Sequence, residues 1–163
     1  MQRPLTAGPS KSDADALVAL PKYIKRMPPV RERTGSRRIK TRSVYDSSGR
    51  PTGLMVDAHV SMPRQRGRHG EVPQVSLVWR NVSIRCIDWE VRHTFADGTV
   101  VVGWHEHLWD DTHRREAGRR FDPPLGSSAT LEQLFVCACQ HWNITILTRQ
   151  DQHLREVDKG NEH

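Results

Sequence analysis

At 163 residues the chain has the length of a single domain, with enough residues for one core. Hydrophobic residues make up 36% and charged residues 27%, a balance that leaves part of the chain extended or disordered. The net charge of +6 and pI near 9.7 favour a polyanionic or acidic partner. No run approaches ~18 apolar residues and no apolar leader region opens the chain, which excludes a spanning helix, argues against export and points to a cytoplasmic protein.

Residues 1–11 are polar with Pro and Gly and are expected to be disordered; one domain covers 12–149 and a charged tail covers 150–163. Ser12 reads as the N-cap of a helix with apolar positions Leu17, Val18, Leu20 and Ile24, broken or kinked by Pro21. From Lys22 to Arg42 there are nine Lys or Arg and one acid, Glu32. Residues 30–38 read as a basic loop and 39–45 as a strand. Ser47–Pro51 is a turn, and the alternation over 53–61 completes a first hairpin. The segment PRQRGRHG over 63–70 reads as a second basic loop. Over 74–82, Val75, Leu77 and Trp79 alternate with Ser76, Val78 and Arg80 as in a strand.

The segment from Arg85 to Asp110 reads as one β-hairpin turning at Asp97-Gly98, because a type I′ turn needs φ > 0 at both central residues. Counting outward, Phe95 meets Val100, Val91 meets Trp104, Trp89 meets Glu106 and Ile87 meets Leu108 on a mostly apolar face. The other face carries Thr94 opposite Val101, Arg92 opposite Gly103, Glu90 opposite His105 and Asp88 opposite His107. His93, opposite Val102, falls on the apolar face as a core or edge histidine.

After Trp109 the chain is polar through Arg120, with a third basic cluster at Arg114, Arg115, Arg119 and Arg120. Thr130 and Gln133 match a capping box. Leu131, Leu134, Phe135, Ala138 and Trp142 form an apolar helical stripe whose expected seat is the Val91/Trp104/Leu108 face of the hairpin. Ile144, Ile146 and Leu147 suggest a last short strand. Cys86, Cys137 and Cys139 make no disulfide framework or CxxC zinc site, and Cys137 and Cys139, two apart on the helix, are expected to point to different sides. The expected fold is α+β: an antiparallel sheet of four to six strands, helices packed on one face and the other face wet.

Arg85, Ile87-Asp88, His93, Asp97-Gly98, His105, His107 and Trp109, followed by the helix from Thr130 to Trp142, resemble the pattern of a family of small bacterial and phage proteins of unknown function. SDADALVAL resembles the short helix that opens those proteins. The likeness spans about residues 12–148, with its specific motifs within 85–110; Gly103-Trp104 stands where that family commonly has a Pro. The resemblance implies a fold and motif positions and brings no activity with it.

Three readings compete for the polar face. His105 and His107 have the pKa range of a general base and acid, with Arg92 as a phosphate-stabilising cation and Glu90 and Asp88 beside them. Together they make a small metal-independent ribonuclease site of the toxin–antitoxin kind. Alternatively, His105, His107 and Asp88 or Glu90 ligate a divalent metal. In the third reading the carboxylate–histidine pairs are ordinary cross-strand pairs. No GxGxxG, P-loop, nucleophile elbow or zincin motif is present, so no cofactor is expected. The leading expectation is a nucleic-acid-binding protein, RNA favoured, of a bacterial defence or mobile-element system. Its backbone contacts would come from Arg31, Arg33, Arg37, Arg38, Lys40, Arg42, Arg64, Arg66, Arg68, Arg114 and Arg115, with Trp109 stacking on a base and Trp79 a second candidate. The alternative is a non-enzymatic module, an inhibitor or accessory subunit, docking on a larger nucleoprotein complex.

Overall fold

A computed structural model of the chain describes residues 8–33, 36–61, 72–110, 117–125 and 129–152. In chain order the elements are α1 (Lys11–Ala19), β1 (Lys22–Ile24), β2 (Arg31–Arg33), β3 (Ser36–Lys40), β4 (Tyr45–Asp46), β5 (Leu54–Ser61), β6 (Val72–Trp79), β7 (Val82–Thr94), β8 (Val100–Leu108), β9 (Ala117–Arg120), α2 (Leu131–His141) and β10 (Ile144–Ile146). The basic loops expected at 63–70 and around Arg114 and Arg115 lie outside the described residues, as do most of the N-terminal segment and the tail.

The architecture is α+β and mostly antiparallel. Seven strands form one sheet in the order β2-β3-β5-β6-β7-β8-β9; β10-β1-β4 form a small second sheet in which β1 runs parallel to β10. The main sheet exceeds the expected four to six strands because two polar segments pair at its edges. Residues 31–33 and 36–40, expected as loop and strand start, form a hairpin in which Arg31 faces Arg38 and Arg33 faces Ser36. Among the described residues of that hairpin only Ile39 reaches the core, so the apolar alternation that announces a strand is nearly absent there. At the other edge, Ala117–Arg120 pairs with β8.

The helices follow local rules with one shift. Ser10, not Ser12, caps α1, its Oγ accepting from the Asp13 amide at 3.0 Å. α1 stops before Pro21, since the residue ahead of a proline is driven out of the helical region. Lys22 is buried beneath its end and donates to the carbonyls of Val18 (2.8 Å) and Leu20; burial pulls its ammonium down to about 8. Thr130 and Gln133 make the expected capping box on α2, and Leu131, Leu134, Phe135, Ala138 and Trp142 are all buried. α2 lies against β3, β5 and β6 rather than over the hairpin residue Val91, which is 72% exposed. Cys137 and Cys139 are both buried and free, and burial pushes the Cys139 thiol up to about 12.

The register of β7 and β8 departs twice from the expected count. Only Gly98 has positive φ (85°) in the turn; the Gly98 amide donates to Phe95 O and the Phe95 amide to Thr99 O, each at 2.9 Å. A longer loop replaces the two-residue turn, and Thr94 rather than Phe95 pairs with Val100. A bulge follows, in which Val91 and Arg92 together oppose Val102, so that below it Asp88 pairs with His105 and Cys86 with His107. Two slips of one residue in the same direction restore the original sidedness for residues 85–90. His93, just above the bulge, crosses to the opposite side.

Candidate functional site

The face of the β7–β8 ladder turned away from Ile87 and Glu106 carries Asp88, Glu90, His105 and His107, as the alternation of the strands requires. The bulge adds His93, correcting its assignment to the apolar face: it pairs with Val101 and so joins the odd-numbered residues of β8. One donor atom from each of His93, His105 and His107 lies within 4.8 Å of the others. The rings of His93 and His105 stack at 4.6 Å, and His107 meets both edge-on. Phe95 closes the cluster, its centroid 4.7 Å from His93 and 5.5 Å from His107. The ring has room because it lies against Gly118, where a Cβ would overlap it.

Hydrogen bonds fix the imidazoles. His105 Nδ1 is 3.0 Å from the carbonyl of Gly103 and donates to it, leaving Nε2 as the atom that faces Asp88. His93 Nδ1 stands 3.0 Å from Glu90 Oε2 in the same relation. Asp88 Oδ1 lies 2.7 Å from His105 Nε2 and 3.5 Å from His107 Nε2. The 2.7 Å approach is a close charge contact without hydrogen-bond geometry: both atoms are buried and neither has a directed partner. Burial alone would raise the Asp88 carboxyl, but the two facing imidazoles outweigh it and hold the group well below the usual carboxylate range. Burial alone would lower His105; the Asp88 carboxylate and the Gly103 carbonyl outweigh it, and its pKa is raised.

This geometry changes the catalytic reading. His105 is 0% exposed and His107 13%, so the two do not stand open to a polymer as acid and base. Arg92, on the exposed far side of the bulge, does not share their face. Trp109 is not a stacking platform either: its Nε1 donates to the carbonyl of Pro9 at 2.7 Å and its ring packs on Gly8 and the core. Trp79 is half-buried, with the Arg80 guanidinium 4.6 Å from its ring centroid.

The opposite side of the hairpin holds a second charged group that the alternation pattern hid. Glu106, read as part of an apolar face, is fully buried there. Its Oε1 accepts from Trp142 Nε1 at 2.8 Å, and its Oε2 pairs with His141 at 3.0 Å and Arg119 at 2.8 Å. Arg85, also buried, stands 3.9 Å away and reaches Asp15 of α1. Burial by itself would raise the Glu106 carboxyl; the bonds from His141 and Trp142 and the Arg119 charge outweigh it and hold it low.

Sharing no residue with the histidine cluster, the segment after β1 and the β3–β4 connection enclose a cleft of about 270 Å³. Lys25, Arg26, Arg31, Lys40 and Arg42 line it, and no carboxylate does. Among the described residues none of these five makes an ion pair, whereas Arg37 is bound to Glu32 and Glu132, and Arg38 to Asp57. Thus Arg31, Lys40 and Arg42 meet at one site, Arg37 and Arg38 are neutralised locally, and Arg33 stands exposed at the end of β2. Arg64, Arg66, Arg68, Arg114 and Arg115 lie outside the described residues. Lys25 and Arg26 were not singled out from the nine-cation run; their signal was membership of that run, with Pro28-Pro29 turning the chain back behind them.

No family model matches this chain, and no curated protein or solved structure is similar to it.

Proposed function

We propose that this protein binds nucleic acid, RNA in preference to duplex DNA, through the basic cleft between the end of β1 and the β3–β4 connection. The observation that carries the reading is the convergence of five cations on one concavity with no acid in its lining. Cations on a solvated surface commonly sit beside carboxylates, as Arg37, Arg38 and Arg120 do here. Five without such partners among the described residues keep their field for a ligand. Tyr45 supports the preference for a single strand: its half-buried ring lies in the cleft wall, stacked on Tyr23 at 5.6 Å with Lys25 over it, and offers a base an aromatic edge. The setting in a bacterial defence or mobile-element system rests on the hairpin resemblance alone.

The test is fluorescence anisotropy with a short labelled single-stranded RNA, and with duplex DNA, across about 50 to 200 mM salt. Engagement of about four phosphates gives a log–log salt slope near −3 for a single strand. Lys25→Glu/Arg31→Glu/Lys40→Glu should abolish binding while the circular dichroism spectrum stays unchanged. Salt-independent binding, or wild-type affinity in the triple variant, refutes the reading.

One observation favours the docking-module alternative. Trp89, Val91, Val100 and Val102 form an exposed apolar stripe at the distal end of the β7–β8 hairpin, 39–72% accessible. If the RNA assay fails, Val91→Lys/Val102→Lys in a partner capture experiment tests that stripe directly.

A further inference from the structure

We propose that His93, His105, His107 and Asp88 form a binding site for one divalent transition metal ion, with Zn2+ the best chemical match. Three imidazoles and a carboxylate are a borderline-soft nitrogen-rich donor set, which suits zinc, cobalt or nickel over magnesium or calcium. The donors converge from two adjacent strands: the three histidines' donor atoms lie within 4.8 Å of one another, and Asp88 Oδ1 is 2.7 Å from His105 Nε2.

Two independent features point to an ion rather than to packed histidines. The first is the pair of buried, undirected atoms. With Nδ1 of His105 donating to Gly103, Nε2 faces Asp88 Oδ1 at 2.7 Å, both atoms buried and neither in a directed hydrogen bond. A buried carboxylate oxygen and a buried imidazole nitrogen without directed hydrogen bonds are costly, and one shared metal ion would satisfy both. The second is the outer shell. A metal-bound imidazole characteristically donates its other N–H to a carbonyl or carboxylate, which orients the ring; His105 does so to Gly103 O and His93 to Glu90 Oε2. Phe95, 3% exposed, supplies an apolar wall. Ligands of one tetrahedral zinc stand roughly 3.3–3.5 Å apart with bonds of about 2.0–2.2 Å, so the imidazole donors, within 4.8 Å of one another, need to close by up to about 1.5 Å. The bulge at Val91-Arg92 is the device that makes the site three-histidine instead of two, since without it His93 would face the other way.

The inference is independent of nucleic-acid binding, and its test reads the metal alone. Protein stripped with EDTA and desalted is titrated with Co2+ and with Zn2+. The expected result is one equivalent bound, with Co2+ giving the intense visible d–d bands of a four-coordinate site, displaced by Zn2+. His107→Gln should weaken Zn2+ binding by at least 100-fold. Glu90→Gln, which keeps an acceptor for His93 and removes its charge, should weaken it by 10- to 100-fold. Absence of a stoichiometric Co2+ spectrum in the wild-type protein overturns the proposal without any variant. So does wild-type Zn2+ affinity in a folded His107→Gln protein, which would assign the binding to other histidines among the nine in the chain.

Discussion

Trp142, the last residue buried by α2, donates its indole N–H to Oε1 of Glu106 at 2.8 Å, joining the helix to the inner face of β8 through a fully buried carboxylate. The same carboxylate answers Arg119 on β9 and His141 on α2. Three elements therefore meet at one charge, and the group is held by its partners rather than by solvent.

Removing that charge should be expensive. Glu106→Ala leaves the Trp142 N–H without an acceptor and the buried Arg85 short of a counter-charge, and should cost about 3–5 kcal/mol by denaturant unfolding. A loss below about 1 kcal/mol would mean that water or a rearranged Arg119 takes over the role.

The acid limb of stability should depend on Glu106. Its folded pKa lies below the unfolded value of 4.5, so its contribution is full above that value and is lost as pH falls through the folded pKa. Asp88 is depressed too and acts in the same direction. Midpoints of urea unfolding between pH 7 and pH 3 should therefore fall less steeply in Glu106→Gln than in the wild type. Parallel curves for the two proteins would show that other carboxylates control acid unfolding.

Two glycines separate backbone strain from crowding. Gly98→Ala adds a methyl in open space, so only the left-handed φ of 85° counts against it, about 1 kcal/mol. At Gly118 a Cβ would overlap the Phe95 ring and lie 2.8 Å from the Glu106 carbonyl oxygen. Gly118→Ala should cost about 1–3 kcal/mol and shift the ring-proton resonances of the histidine cluster, which Gly98→Ala should leave in place. Equal spectra for both variants would show that Phe95 does not wall the cluster.

Charge reversal should sort the arginines by partner. Arg37→Glu breaks contacts to Glu32 and Glu132, and should lower stability slightly, about 0.5 kcal/mol, while leaving RNA affinity within a few-fold. Arg31→Glu removes a cation with no described ion pair and should weaken RNA binding at least tenfold with no change in midpoint. The reverse ranking in paired anisotropy and unfolding measurements would relocate the binding surface to the Arg37 face of β3.

Much of this was legible in the residues and some could not be. The capping box at Thr130 and the stripe from Leu131 to Trp142 are local patterns, and they hold. The polar company of Asp88, Glu90, His105 and His107 was also readable, because side-chain alternation survives a register error of two residues. A turn with a single positive-φ residue and a bulge at Val91-Arg92 are set by cross-strand contacts, which no count along the chain contains; hence His93 was placed on the wrong side. Glu106 was hidden for a related reason: its four neighbours come from β7, β9 and α2. The β2–β3 hairpin escaped notice because Ile39 is the one residue buried in the core among its described residues.

The two outermost strands of the seven-stranded sheet are Arg31-Glu32-Arg33 at one end and Ala117-Gly118-Arg119-Arg120 at the other. An open sheet offers its unsatisfied amides and carbonyls to any strand that approaches, and charged side chains along those rims oppose zipping together of copies of the chain. The rim at β2 adjoins the basic cleft, and Arg31 belongs to both. A polyanion that fills the cleft therefore also strips the colloidal guard from that margin. In the presence of long, highly charged polymers the protein should gather along them by strand-to-strand contact at β2.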